Sequence, residues 1–138
     1  MNKIGFGIVI SSVVLIASTL CPHAAIQEAP TENKRLEGVN LRSTDLSSEM
    51  DSVRGHILKL RRLTLEPGGI VELHSHKDHP TLLHVIKGTL TSRAQGRPEV
   101  VLRAGVGLAG GEDDNFWVQN TGSEPAEFIW SPIYEPAP

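Results

Sequence analysis

The chain of 138 residues has a single cysteine, Cys21, and it lies in the apolar N-terminal segment. If that segment is removed on export, no thiol remains, which excludes both a disulfide framework and thiolate chemistry. Such a domain must hold together by burial alone, which a chain of about 110 residues can manage. A basic excess is also missing. The net charge is −3, and loss of Lys3 with a leader leaves 12 Lys+Arg against 16 Asp+Glu, or −4. Nucleic-acid binding needs a cationic surface, so this balance argues against it. The nearest thing to a basic patch is Lys59, Arg61 and Arg62 in HILKLRRLTL, expected to be outward-facing strand positions. Aromatic residues make up only 4%, so Phe116, Trp117 and Trp130 stand out. No internal repeat and no helical periodicity of any length occurs; only STDLSSEM (43–50) has the look of a capping box, enough for one turn.

The one long apolar run is Ile4–Leu20, 17 residues without charge, preceded by Lys3. That pattern is a secretory signal before it is structure. Its length is at the lower edge for a membrane span, and Gly5, Gly7, Ser11 and Ser12 dilute it, so an uncleaved anchor is the alternative. STLC before Cys21 is a poor match to a lipidation site. Residues 1–25 are therefore expected to be a signal peptide or anchor, and the protein periplasmic or secreted, with membrane anchoring as the alternative. The polar stretch 26–38, with Pro30, reads as a linker. The barrel proper is expected over 39–138.

From Val39 onward, short alternating runs are separated by turn signals. HILKLRRLTL alternates, with Ile57 and Lys59 on one face and Leu58 and Leu60 on the other. EPGG (66–69) reads as a turn, Lys87-Gly88 as the turn of a hairpin, and GRP (96–98) as another turn; GVGLAGGEDDN is irregular. Turns every 8–12 residues and 13 glycines indicate an all-β sandwich or barrel, a fold that can enclose a ligand among its inward side chains.

Four of the six histidines lie within eleven residues: His74, His76, His79 and His84. Side chains at i and i+2 of a strand share a face, so His74 and His76 point the same way, close enough to share an ion. Asp78 is one step further if the strand continues, although Pro80 forces a turn nearby. Two imidazoles and a carboxylate are ligand types for iron, zinc or manganese. Asp78 and His79 are thus candidate further ligands, as are Asp113 and Asp114 of the GEDDN loop, whose plainer reading is a solvated acidic turn. His79 and His84 are off the parity of the pair and read first as surface histidines. With Leu83 and Val85 inward, His84 faces out. Phe116 is expected to face in and Trp117 out, against a second sheet or a partner chain.

At this point the sequence resembles the cupins, small antiparallel jelly-roll barrels of the double-stranded β-helix type. The resemblance covers roughly 39–135. Gly68, GIVEL, His74-Ser75-His76, KDHP, Thr81, LLHVIK and Gly88 follow the spacing of the first cupin motif, and Gly105 with Phe116-Trp117-Val118-Gln119-Asn120 follows the frame of the second. Cupins usually hold a metal with three His and one Glu. Here Thr81 stands at the Glu position and Phe116 at the third His position, leaving His74 and His76. The resemblance implies a divalent metal (Fe, Mn, Zn or Ni) held weakly and only while both imidazoles are unprotonated, with pKa values of about 6.5.

Three readings follow. One is an exported protein that binds a small molecule in the barrel, with a loosely held metal at His74 and His76. The second is a metal-dependent enzyme of the oxygenase or isomerase type. The third is a structural or partner-binding barrel whose cavity is filled by side chains. The resemblance also implies a homodimer; the charge balance argues against a nucleic-acid partner, and no membrane contact is expected beyond the leader.

Overall fold

Alternating β-branched and aliphatic residues broken by Gly, Pro and Asp produce strands almost throughout. The computed structural model describes residues 28–135, so the leader lies outside the described residues. Eight strands follow in chain order: β1 Lys34–Asp45, β2 Ile57–Ser75, β3 Thr81–Lys87, β4 Thr89–Ala94, β5 Val100–Arg103, β6 Gly107–Gly110, β7 Asn115–Asn120 and β8 Ala126–Tyr134. The only helical element among the described residues is one 3₁₀ turn, Asp51–Val53. It falls just after the expected capping box, whose Ser43–Asp45 instead end β1. There Asp45 Oδ1 accepts the Ser47 N–H at 2.8 Å.

Every strand pairing is antiparallel, in the order β5-β4-β7-β2-β8-β3-β6, with β1 on the free edge of β2. β2 organises the fold. Its first half, Ile57–Leu65, pairs with β8, and its second half, Ile70–Ser75, pairs with β7. The sheet curls until the β5–β6 turn reaches β3, where Val85 gives and receives backbone hydrogen bonds with Val106 and Gly105 at 3.0 and 2.9 Å. The result is the antiparallel jelly-roll barrel expected from the sequence. Its core is Leu63, Leu65, Leu83, Val85, Leu90, Leu102, Phe116, Val118, Ala126 and Phe128, drawn from both halves of the wrap.

Several local expectations are corrected. EPGG does not reverse the chain. It is a bulge inside β2: Lys34 pairs with Ile70 but Leu36 with Leu65, so residues 66–69 oppose Arg35 alone. A bulge bends its strand, and this bend passes β2 from β8 to β7. Lys87-Gly88 is not a hairpin turn, because β3 pairs with β8 and β6 while β4 pairs with β7 and β5. Gly88 (φ 79°) carries the chain across the barrel. A Cβ there would lie 2.8 Å from Ala126 Cα and 2.9 Å from the Pro125 carbonyl, so the crossing has room only for glycine.

The linker boundary also moves. β1 begins at Lys34, and Leu36 packs against the core, so residues 34–38 belong to the barrel. Their polarity is that of an exposed edge strand, which carries charge to avoid pairing with other chains. Finally, Leu58 and Leu60 are exposed, whereas Lys59 and Arg61 share the inward parity of Leu63 and Leu65. Arg62 alone of the three cations is fully outward.

Candidate functional site

Four side chains from three parts of the chain meet inside the barrel. His74, on β2, is the direct partner of Phe116 on β7. His76 follows the last residue of β2, where its backbone N–H donates to the Asp114 carbonyl at 3.0 Å. Thr81 opens β3 opposite Gly110 and Pro132. A Cβ on Gly110 would sit 2.7–2.9 Å from the His76 ring, so glycine there lets the imidazole lie flat against β6. Together these residues line a cavity of about 320 Å³. Its remaining walls are largely apolar, among them Leu63, Val71, Val118, Phe128 and Trp130.

The geometry within this cavity is tight. The His74 and His76 rings are 4.6 Å apart, centroid to centroid, at 65°. Phe116 lies 4.4 Å from His76 and 6.0 Å from His74. His74 Nδ1 is 2.8 Å from the Glu72 carbonyl. A carbonyl only accepts, so Nδ1 carries the proton and Nε2 holds the free lone pair. His76 is buried, and among the described residues its Nε2 has no partner; Thr81 Oγ1 and both ring nitrogens of His79 are likewise buried and unpaired there. Buried polar atoms are rarely left so; Thr81 borders this cavity, His79 a second one, and His76 both.

Burial, and then the neighbouring His74, hold the His76 pKa below its ordinary value of 6.5. Between that lowered pKa and 6.5 the unfolded chain binds more protons than the folded one. His76 therefore contributes stability that is fully present above about pH 6.5 and lost as pH falls towards the folded pKa. The melting temperature of the wild type is expected to drop more between about pH 7.5 and pH 5 than that of His76→Gln. Parallel slopes in a thermal-melt series would show that His76 titrates normally.

The residues present do not fit a resident, tightly held metal. Among the described residues, no three His, Cys, Asp or Glu side chains are grouped to hold an ion. Two imidazoles face a benzyl ring and a hydroxyl, where a closed site would need further charged or nitrogen donors. The further candidate ligands do not complete a set. β2 ends at Ser75, so Asp78 does not continue the face of the histidines; it is exposed, in a turn, with φ 60°. His79 borders a second cavity with His74, Ser75 and His76 without forming a ligand group. Both oxygens of Asp114 are engaged, Oδ2 by the Gly111 N–H at 2.9 Å and Oδ1 by Arg97 Nη1 at 2.7 Å, and Asp113 is exposed.

Sequence reasoning missed the cations of the site. The second cavity, of about 380 Å³, is bordered by Lys59, Arg61 and Tyr134 as well as the histidines. Arg61 also lines the first. Its guanidinium lies over the Trp130 ring at 5.4 Å, and Lys59 Nζ over Tyr134 at 4.4 Å. Counting strand parity outward from Leu63 and Leu65 would have placed both inside.

An antiparallel barrel with an inward imidazole pair lining a largely apolar cavity places the chain among the small single-domain β-barrels. The family described as "Cupin domain" matches residues 61–132, and the chain belongs to the cupin family. Solved structures agree on the fold. Protein TT1209 of Thermus thermophilus superposes with a TM-score of 0.60 at 16% identity, over 74% of this chain and 86% of its own. A Thermotoga maritima protein described as a predicted oxalate decarboxylase gives 0.58 at 22% identity, over 78% of this chain and 94% of its own. Oxalate oxidase in complex with glycolate gives 0.56 at 20% identity, over 77% of this chain and 54% of its own, so this chain spans about half of that protein. No curated protein matches the chain.

Proposed function

We propose that this cupin binds a small molecule inside the barrel and that a divalent metal, where present, is held loosely by His74 and His76 alone. The observation that carries the reading is the cavity of about 320 Å³ on which His74, His76, Thr81 and Phe116 converge. It falls in the size range of small-molecule sites and has their composition, apolar walls with a few convergent polar groups. A barrel serving only as a scaffold would have filled that space with side chains, as closely packed cores do. The substitutions at Thr81 and Phe116 remove the donors that would keep a metal through purification, while the two imidazoles keep hydrogen-bonding capacity for a ligand. Export belongs to the same reading and is supported by Lys3 followed by the uncharged Ile4–Leu20.

Metal content and binding decide between this reading and a metalloenzyme. Inductively coupled plasma mass spectrometry of the purified full chain is expected to show sub-stoichiometric metal that a chelator strips. Neutral probes such as benzyl alcohol and benzamide, titrated by calorimetry, are expected to bind equally well before and after chelation, and to lose binding in Val71→Trp, which fills the cavity. Stoichiometric metal that disappears in both His74→Ala and His76→Ala would overturn the reading in favour of a metal-dependent enzyme. Intact mass of the exported material reports whether residues 1–25 are removed.

A further inference from the structure

The two cavities adjoin and share a wall of Arg61, His74, His76 and Trp130. They differ in chemistry. The first is walled mostly by aliphatic and aromatic side chains. The second carries Lys59, Arg61 and the imidazoles of His74, His76 and His79, with no carboxylate on its lining among the described residues. Among the described residues the one acid bordering either space is Glu72, on the first, where its Oε1 accepts from Asn33 Nδ2 at 3.3 Å. Among the described residues neither Lys59 nor Arg61 forms an ion pair. In a chain with more acidic than basic residues, two unpaired cations turned inwards are an unusual use of charge.

We propose that the ligand is a small monocarboxylate with an apolar or aromatic body, and that Arg61 is the residue that selects it. The inference rests on the reading above that the barrel binds a small molecule. The body occupies the apolar chamber and the carboxylate reaches across the shared wall to the guanidinium. Arginine suits this role because its planar fork matches a carboxylate with two parallel hydrogen bonds. The cation–π contact with Trp130, 5.4 Å from the ring centroid, favours this position of the fork before the ligand arrives, which lowers the ordering cost of binding. Lys59, resting on Tyr134, adds positive potential at the same end. His76 Nε2 and Thr81 Oγ1, buried without partners, are further hydrogen-bonding groups along the path. A small fully polar anion such as phosphate or oxalate would leave the apolar chamber unused, and an uncharged ligand would leave both cations uncompensated.

The test compares matched pairs on the full chain by isothermal titration calorimetry: benzoate against benzamide, and phenylacetate against phenylacetamide. Inorganic phosphate and oxalate serve as anions without an apolar body. The carboxylates are expected to bind at least about tenfold more tightly than their amides, the scale of a charge-assisted hydrogen bond. Arg61→Gln is expected to level each pair, and Arg61→Lys, which keeps charge but not the fork, to restore only part of the difference. Thermal melts of both variants confirm folding. Equal affinities for acid and amide in the wild type, a preference that survives in Arg61→Gln, or phosphate or oxalate binding as tightly as benzoate would each overturn the assignment while leaving small-molecule binding intact. Failure of every acid and amide to bind would sink the binding reading itself.

Discussion

Replacing Phe116 by histidine is expected to raise divalent-metal affinity by about 100-fold or more, given that loss of even an outer-shell partner costs 10–100-fold at natural metal sites. Phe116 is the cross-strand partner of His74, and its ring lies 4.4 Å from that of His76. An imidazole there would add a third nitrogen beside the two already present, giving the three-ligand arrangement of open zinc sites. The variant should also be less stable without metal, by roughly 2–3 kcal/mol, since a polar ring replaces an apolar one in the core. Metal should return that loss as RT ln(1 + M/Kd), where M is the free metal concentration, growing with its logarithm. Calorimetric titration with Zn²⁺ and Mn²⁺, with Phe116→Leu as control, measures both effects. Unchanged affinity in a folded Phe116→His would mean that this ring does not face the histidine pair, and the cavity geometry would have to be redrawn.

The extent to which the site could be read from sequence depends on the range of the interaction concerned. His74 and His76 were legible because strand parity is local: once β2 is a strand, alternate side chains must share a face. Leu83 and Val85 inward with His84 outward followed from the same rule, and all three stand so. Thr81 and Phe116 were placed by the spacing of the cupin motifs, and the structure brings both to the cavity. What failed involved partners far along the chain or a bend within a strand. Nothing in VIKGTLT says that β3 and β4 diverge to different neighbours, because the reason lies in Ala126 and Pro125 pressing on Gly88. EPGG has turn chemistry and uses it to bulge a strand, a choice made by β1 pairing across it.

The cations were missed for a different reason. Sequence alone points Lys59 and Arg61 to solvent because charged residues are seldom buried. Where inward positions border a cavity, however, cations are kept, and here their charged heads lie over aromatic rings. β1 was overlooked on the same grounds, since a charged edge strand has the composition of a linker. In each case the exception to hydrophobic patterning sits at the site or at an exposed edge, where function or solubility outweighs core packing.

Asn120→Ala is expected to cost about 3 kcal/mol, enough to lower the melting temperature by roughly 10–20 °C in a domain of this size. The residue closes the second cupin motif, yet its work is structural. It is 1% exposed, and its amide saturates its surroundings. Nδ2 donates to the Leu65 carbonyl at 2.7 Å and to the Glu124 carbonyl at 2.8 Å, while Oδ1 accepts the Gly122 N–H at 2.9 Å. Leu65 is the last β2 residue paired with β8, just before the bulge, and 121–125 is the turn that leads into β8. Asn120 thus ties β7, the bend of β2 and the start of β8 at one point, where backbone pairing is interrupted by the bulge. Alanine would strand the Leu65 carbonyl in the interior and release the turn. Aspartate is the sharper probe: it keeps the shape and the acceptor for Gly122 but faces two carbonyls with negative charge. Chemical denaturation should therefore rank Asn120→Asp at least as unstable as Asn120→Ala, with Gln119→Ala, on the half-exposed neighbouring position, much closer to the wild type. An alanine variant as stable as the Gln119 control would show that the bulge is held by strand pairing alone.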